Sequence, residues 1–264
     1  DEESEKPQLA NIATDGETFG HHNRFGDMAL SYCLHRLESK NLARITIYAE
    51  YLEKNPPEDE VKIQENSSWS CVHGVERWRS DCGCNSGMHQ GWHQKWRAPL
   101  RKTMDELGDC MRTLYEKQMG AFCGDPWLVR NRYIDVVLNR SQAAVENFLS
   151  SQAKRELHAE DQVRMLKLLE MQRNAMLMYT SCGWFFDDIS GIETVQVIQY
   201  AARTVQLARD IFGDDVETGF LERLEQAKSN IRKHGDGRRI YEKMAKPAMV
   251  DLTWVAAHYA ITSL

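Results

Sequence analysis

The chain has 264 residues, enough for one large domain or two small ones. Its 33 basic and 39 acidic residues leave a formal net charge of −6, which excludes the strongly basic surface typical of nucleic-acid-binding proteins. No apolar stretch approaches the ~20 residues of a membrane span. The acidic N-terminal residues lack the basic-then-apolar order of a signal peptide. We therefore expect a cytoplasmic protein with neither a nucleic-acid nor a membrane partner.

The first sixty-odd residues predict a short α/β segment. The apolar run at residues 9–14 is typical of a buried strand, and helical spacing of apolar side chains predicts an amphipathic helix over residues 25–39. Alternation at Ile45 and Ile47 permits a second, brief strand. A proline pair then predicts a loop at residues 55–60.

The stretch ATDGETFGHH follows the first predicted strand and carries two acids, Asp15 and Glu17. Residues two apart in a strand share a face, so the two carboxylates would lie side by side. Acid/base chemistry on a glycosidic bond requires carboxylates held at different pKa values. The alternative is a turn, because Asp-Gly is a common turn signal and the acids could cap the next helix. Taken alone, the pattern favours the turn.

Residues 67–96 are rich in Gly, Cys, His and Trp and show no period, which predicts a long loop of the functional or stapled kind. Four soft metal ligands lie within fourteen positions of this loop: Cys71, His73, Cys82 and Cys84. Such a set could close a tetrahedral zinc site, or an iron–sulfur cluster with Cys182 as a further donor. The one-residue spacing within each pair differs from standard zinc fingers, and free thiols in a reducing cytoplasm are the alternative.

The remainder of the chain predicts a helical bundle. Apolar residues from Leu100 to Met111 step by four and three, which places them on one helix face. Asp125-Pro126 is typical of the start of a helix, which we expect to run to about residue 139. Apolar residues from Val195 to Ile211 recur at helical spacing and predict a further helix, which Gly213 ends. Further helices are predicted at about residues 160–178 and 249–261.

Three motifs, in order, resemble parts of glycoside hydrolase family 57. DGETFGH resembles the fourth signature region of that family, SSWSCVHGVERW the segment after the last barrel strand, and TSCGWFFDDISGIET the fifth region. Together with WRAPLR and DPWLVRNRYI, they are most similar to bacterial family 57-like proteins that carry a C-terminal domain of unknown function. The resemblance implies an incomplete (β/α)7 barrel followed by a helical domain.

The resemblance also implies roles for individual residues. Asp15 matches the general acid/base, with Glu17 as a supporting carboxylate. The expected sugar-contacting residues are His21, His22, Trp69 and Trp184. The family acts on α-glucans with retention of configuration, by hydrolysis or transglycosylation, and needs no cofactor for catalysis. The cofactor that we expect from the cysteine-rich loop is a structural zinc ion.

Retention requires a second carboxylate as nucleophile. In the family this is a glutamate on an earlier barrel strand, which the sequence lacks. We therefore expect the C-terminal part of a larger enzyme, inactive alone, whose partners are an α-glucan and the N-terminal barrel portion of the same protein.

The expected fold class is thus mainly α, with a short α/β N-terminal segment left over from the barrel. The predicted domains are the barrel end (residues 1–66), the Cys/Trp-rich loop (67–98) and the helical bundle (99–264). The alternative function is a non-catalytic helical module, stapled by metal, that binds carbohydrate or protein.

Overall fold

The computed structural model describes residues 7–213 and 215–263, and the chain divides into two compact units, Asp1–Gln64 and Glu65–Leu264. The fold is mainly α, as predicted. Within the described ranges the backbone forms helices and two isolated β-bridges but no strand. No helix in these ranges is both long enough and apolar enough to cross a membrane.

Residues 7–64, the described part of the first unit, contain two helices, α1 (Gly26–Ser39) and α2 (Tyr48–Lys54). The predicted amphipathic helix at residues 25–39 is therefore confirmed as α1. None of residues 7–64 is buried, although α1 and its flanking segments carry large apolar side chains. The apolar side chains at helical spacing thus lie in a helix, but none of them is buried in a core.

The prediction of strands in this N-terminal segment is wrong. Residues 9–14 are irregular, and side chains of α2 bind this segment: Tyr51 donates its hydroxyl to the carbonyl of Pro7 at 2.8 Å, and Tyr48 to Oδ1 of Asn11 at 3.1 Å. A strand exists only through a ladder with a neighbour, and within the described residues no segment pairs with this one. The alternation at Ile45 and Ile47 is too short to define a strand, and α2 begins directly after it.

Ten helices follow in the described residues of the second unit. They are α3 (Arg97–Met119), α4 (Pro126–Arg132), α5 (Ile134–Leu138), α6 (Gln142–Gln152), α7 (Ala159–Leu177), α8 (Cys182–Phe185), α9 (Ile192–Phe212), α10 (Val216–Leu224), α11 (Gly237–Ile240) and α12 (Leu252–Thr262). The core forms where α7 packs against α9 and α3, with α8 against α9 and α10 against α3. A π-helical turn, Tyr241–Ala245, closes over α9.

Local sequence signals explain several of these boundaries. The carboxylate of Asp125 accepts the backbone N–H groups of Trp127 and Leu128, each at 3.0 Å, and thereby caps α4. Gly213 ends α9 with φ of 73°, a conformation that glycine adopts without steric cost. The helix predicted to run from residue 126 to about 139 is broken into α4 and α5, and α6 was not predicted.

The Cys/Trp-rich segment is irregular up to α3, apart from the short 3-10 turn Glu76–Trp78. It contacts α8 through this turn. Its last residue, Trp96, is fully buried, with the indole N–H donating to the carbonyl of Asp187 at 3.2 Å. The segment therefore lies against the end of the bundle that carries residues 184–188.

Candidate metal centre

The four predicted ligands of the Cys/Trp-rich segment converge. The ligand atoms of Cys71, His73, Cys82 and Cys84 all lie within 4.8 Å of one another. Sγ of Cys71 is 3.9 Å from that of Cys82 and 3.8 Å from that of Cys84. Nδ1 of His73 is 4.0 Å from Sγ of Cys71 and 3.6 Å from that of Cys84. These four side chains form a site suited to a metal ion.

The separations fit one tetrahedral ion. With Zn–S bonds of about 2.3 Å and Zn–N bonds of about 2.0 Å, a tetrahedron places two sulfur ligands about 3.8 Å apart and a sulfur about 3.5 Å from a nitrogen. A multinuclear iron–sulfur cluster would stand between its ligands and hold them farther apart. Cys182 is exposed at the start of α8 and is not one of the converging ligands. The geometry favours a mononuclear Cys3His centre.

The thiols of the site differ in acidity. Burial works to raise the pKa of Cys71. Hydrogen bonds from the backbone N–H groups of Arg77 and His73, and then from the side chains of Cys84 and His73, outweigh that effect and lower its pKa to about 7. Burial, followed by hydrogen bonds and charge shared with Cys71 and Cys82, raises the pKa of Cys84. The thiol of Cys71 is therefore partly ionised near neutral pH, and a metal would displace the remaining thiol protons on binding.

Arg77 connects the start of the metal loop to the bundle. Its side chain is buried, with Nη1 donating to the carbonyl of Ser70 at 3.0 Å and Nε to the carbonyl of Phe185 at 3.1 Å. The guanidinium also stacks on the ring of Phe185, 3.5 Å from the ring centroid. The residue before the first ligand is thus fixed to the end of α8.

Arg97 connects the end of the same loop to the same place. Its Nη1 donates to the carbonyl of Cys84 at 3.2 Å, and its Nη2 donates to the carbonyls of Phe185 and Phe186 at 3.0 and 3.1 Å. Because one guanidinium binds both segments, the fourth ligand and the end of α8 form one unit. Sequence patterns gave no sign of either arginine's role.

Two buried aspartates complete the anchorage. Asp187 accepts the backbone N–H of Ser86 at 2.8 Å and also its hydroxyl. Asp188 accepts bonds from the side chains of Ser190 and Ser229 and from Asn230. Asp188 does not cap α9, because no side chain caps the first turn of that helix; it binds the segment that follows α10 instead.

The two tryptophans expected to contact sugar lie in opposite environments. Trp69 is 86 % exposed, and its ring centroid lies 6.5 Å from that of Phe185 at an interplanar angle of 31°. Trp184 is only 1 % exposed and donates its indole N–H to the carbonyl of Met178 at 3.2 Å. The buried ring offers no face to a sugar, so this geometry favours a core role for Trp184. The helix that carries this ring, α8, packs against α9.

The motif with the two acids forms a tight turn in the first unit. The carbonyl of Asp15 accepts the N–H of Thr18 at 3.1 Å, and that of Glu17 accepts the N–H of His22 at 2.9 Å. Both acids, His21 and His22 are exposed, and the two imidazole rings meet edge to face at 5.1 Å. The strand geometry assumed for the carboxylates is absent here, and the catalytic and sugar-binding roles of these residues stay predictions.

A family model described as "Domain of unknown function (DUF3536)" matches residues 92–264. The chain belongs to this family. The DUF3536 region contains α3 to α12, and the four converging ligands lie N-terminal to it. No curated protein and no solved structure matches the chain. The resemblance to glycoside hydrolase family 57 thus rests on the three motifs alone, and what it implies is treated below as proposal.

Proposed function

We propose that residues 65–264 form a helical module whose loop is stapled by zinc, and that the module presents Trp69 to an α-glucan as part of a larger enzyme. The observation that carries this proposal is the convergence of three thiols and one imidazole, whose ligand atoms lie within 4.8 Å of one another, two residues after an exposed tryptophan. The loop has almost no regular structure of its own, so a covalent or metal cross-link is the kind of device that would order it.

The ligand set supports a structural rather than a catalytic zinc. Structural sites use four protein ligands, whereas catalytic sites leave one position open for water or substrate. All four positions here are supplied by Cys71, His73, Cys82 and Cys84. When bound, the ion supplies a cross-link, while the chain's own arginines and Asp187 attach the cross-linked loop to the bundle.

The aromatic face beside the centre supports glucan binding. Trp69 rests over Phe185, and Phe186 adjoins Phe185 with ring centroids 5.3 Å apart. The apolar face of a glucose ring packs on an indole in the way other apolar groups do. The main chain beneath these rings is fixed by Arg77 and Arg97. A fixed aromatic platform loses little conformational freedom on binding.

The enzymatic part of the proposal comes from the motifs. By resemblance, Asp15 would donate a proton to the leaving oxygen of an α-glucan, Glu17 would support it, and His21 and His22 would contact the sugar. The nucleophile would come from an earlier strand of the barrel. Hydrolysis and transglycosylation would then differ only in whether water or a sugar hydroxyl reaches the glycosyl-enzyme intermediate.

Glucan binding is tested with two exposed tryptophans. The Trp69→Ala variant is expected to bind soluble starch at least tenfold more weakly than the unmodified chain, measured by affinity electrophoresis. Trp254, on α12, is 70 % exposed and serves as the matched control, because Trp254→Ala removes an indole far from the metal loop in sequence. Equal binding by both variants, or no binding by the unmodified chain, contradicts the proposal.

The catalytic role is tested in a protein that also contains the rest of the barrel. Asp15→Asn is expected to abolish α-glucan turnover while leaving circular dichroism unchanged. If no turnover depends on Asp15 but starch binding still depends on Trp69, the alternative stands: a non-catalytic module stapled by metal. The non-catalytic alternative is supported by the fact that residues 65–264 contain both the four candidate metal ligands and the aromatic face at Trp69.

A further inference from the structure

Residues 66–74 form a loop whose two ends meet. Gly74 lies so close to the main chain of Asn66 that a Cβ atom added to it would stand 2.3 Å from the Asn66 carbonyl oxygen, well inside van der Waals contact. The hydroxyl of Ser68 donates to the carbonyl of Gly74 at 2.8 Å, and the N–H of Gly74 donates to the carbonyl of Cys71 at 3.1 Å. A compact surface loop with its ends in contact is an Ω-loop, a kind of segment that is frequently functional.

The backbone at both ends of this loop has left-handed geometry. Asn66 has a φ of 56° and Gly74 a φ of 79°. Asparagine tolerates this region because its short side chain can bond to the nearby main chain, and glycine enters it without steric cost. Position 74 has a second requirement, because the carbonyl of Asn66 leaves no room for a side chain. The loop therefore needs glycine at position 74 for both conformation and space.

The loop carries three of the side chains that the proposed function uses. Trp69 is the exposed ring of the aromatic face, and Cys71 and His73 are two of the four candidate metal ligands. Gly74 directly follows His73, so a displacement of its main chain moves a metal ligand. The contact between the two ends of the loop thus bears on the metal centre and on the sugar-binding ring together.

A side chain at position 74 would have to displace the loop itself. The atom that it would meet is a main-chain oxygen, not the far end of a flexible side chain, so relief of the contact requires movement of the main chain. The middle of the loop is held by buried Arg77, whose Nη1 donates to the carbonyl of Ser70 at 3.0 Å. The movement is therefore left to the two ends of the loop, at residues 66–68 and 73–74.

We propose that Gly74 is a positioning residue, which closes the loop of residues 66–74 and thereby sets both the separation of the metal ligands and the placement of Trp69. The proposal rests on the function proposed above for the metal centre and the ring. Gly74 has no side chain and acts only through its neighbours: the carbonyl of Asn66, the hydroxyl of Ser68 and the carbonyl of Cys71.

Two glycine variants test the role of Gly74. Gly83 lies between the ligands Cys82 and Cys84 and has a φ of 83°, but no heavy atom lies within 4 Å of a Cβ atom added to it. Gly74→Ala and Gly83→Ala therefore impose the same left-handed strain, and only the first adds a contact with the main chain. Competition with a chromophoric chelator should show that Gly74→Ala binds Zn²⁺ at least roughly tenfold more weakly than Gly83→Ala. Affinity electrophoresis should show a difference of the same direction and size for soluble starch.

Two further measurements separate the closure of the loop from a general loss of fold. The helical circular dichroism of Gly74→Ala is expected to match that of the unmodified chain, because the loop lies outside the helices. The protection factor of the amide at position 74, measured by hydrogen exchange without metal, is expected to fall in Gly74→Ala, because this N–H donates to Cys71. If Gly74→Ala loses its helical signal, Ser68→Ala replaces it; this variant removes the hydroxyl bond to Gly74 and should weaken zinc and starch binding in the same direction.

The outcomes distinguish this inference from the function on which it rests. Equal zinc and starch binding by Gly74→Ala and Gly83→Ala overturns the inference, because left-handed strain alone would then explain any loss. A loss of zinc binding without a loss of starch binding also overturns it, since the loop would not position both groups. If the unmodified chain binds neither zinc nor starch, the proposed function fails. Hydrogen exchange then still tests the closure, and equal protection at position 74 in the unmodified chain and Gly74→Ala overturns it.

Discussion

The two units differ in the burial of their apolar side chains. In the first unit no described residue is buried, and α1 exposes Met28 and Tyr32. In the second unit α9, a helix with a similar pattern, buries a whole face against α7, including Ile198 and Val205. An amphipathic pattern therefore predicts that a helix forms, but only a second packed element turns its apolar face into a core.

A further contrast lies inside the second unit. The bundle is held by apolar packing of α3, α7 and α9. The Cys/Trp-rich segment is held by buried polar anchors, and its four candidate ligands converge. Substitutions in the bundle should therefore act on stability whether or not metal is present, whereas the loop should respond to metal.

The largest effect is expected in the core. Trp184→Ala removes a fully buried indole and should lower the free energy of unfolding by about 3–5 kcal/mol. Tyr32→Ala, on the exposed α1, should change it by less than about 0.5 kcal/mol. Urea denaturation followed by circular dichroism measures both. If both variants lost similar amounts of unfolding free energy, the difference in core packing between the two units would be contradicted.

The second-largest effect on stability is expected from removal of the metal. At a zinc concentration 100 times its Kd, one site stabilises the folded state by about 2.7 kcal/mol, so a strong chelator should lower the melting temperature of the second unit. Chelation should also make Cys71, Cys82 and Cys84 reactive to iodoacetamide. Cys33 and Cys110 are exposed and should react equally with and without zinc. An unchanged alkylation pattern would contradict the assignment of the loop ligands.

Close packing at Gly183 gives a smaller effect. A Cβ atom added there would lie 2.1 Å from Cγ2 of Val197 and 3.0 Å from the carbonyl oxygen of Glu193. Gly183→Ala should therefore cost about 1–3 kcal/mol of stability through overpacking. Gly124 has no heavy atom within 4 Å of such a Cβ, so Gly124→Ala is the control and should be nearly neutral.

The smallest effect concerns pH in the metal-free protein. The pKa of Cys71 in the folded chain is about 7, below the ordinary thiol value of about 8.5. Between these two values the unfolded chain binds more protons, so stability should rise with pH from about 7 to 8.5. Above 8.5 the raised pKa of Cys84 acts in the opposite direction. Cys71→Ser should flatten the rise, and an unchanged slope in that variant would exclude Cys71 as its source.

The sequence was informative where a local rule decides the structure. Periodicity located α1, α3, α7 and α9, and the cap at Asp125 and the end at Gly213 followed from local backbone preferences. The ligand types identified the four side chains that converge in the candidate metal site. The broken helix at residues 126–139 was not foreseen, because tertiary packing decides whether two short helical segments join.

Contacts between residues that are distant in sequence could not be predicted. Arg97 meets Phe185 across 88 positions, and Ser86 meets Asp187 across 101, which no local pattern reveals. The same holds for burial: Trp69 and Trp184 are both tryptophans in family-like loops, yet one is exposed and the other is in the core. The predicted strand at residues 9–14 failed for this reason too, because a strand is defined by its neighbour.

The most direct measurement is zinc-edge X-ray absorption of the purified chain, together with its metal content. We expect one zinc ion per chain, coordinated by three sulfur atoms at about 2.3 Å and one nitrogen at about 2.0 Å. A chain that holds no zinc after purification and reconstitution with zinc, or holds it through nitrogen and oxygen ligands only, contradicts the Cys3His centre.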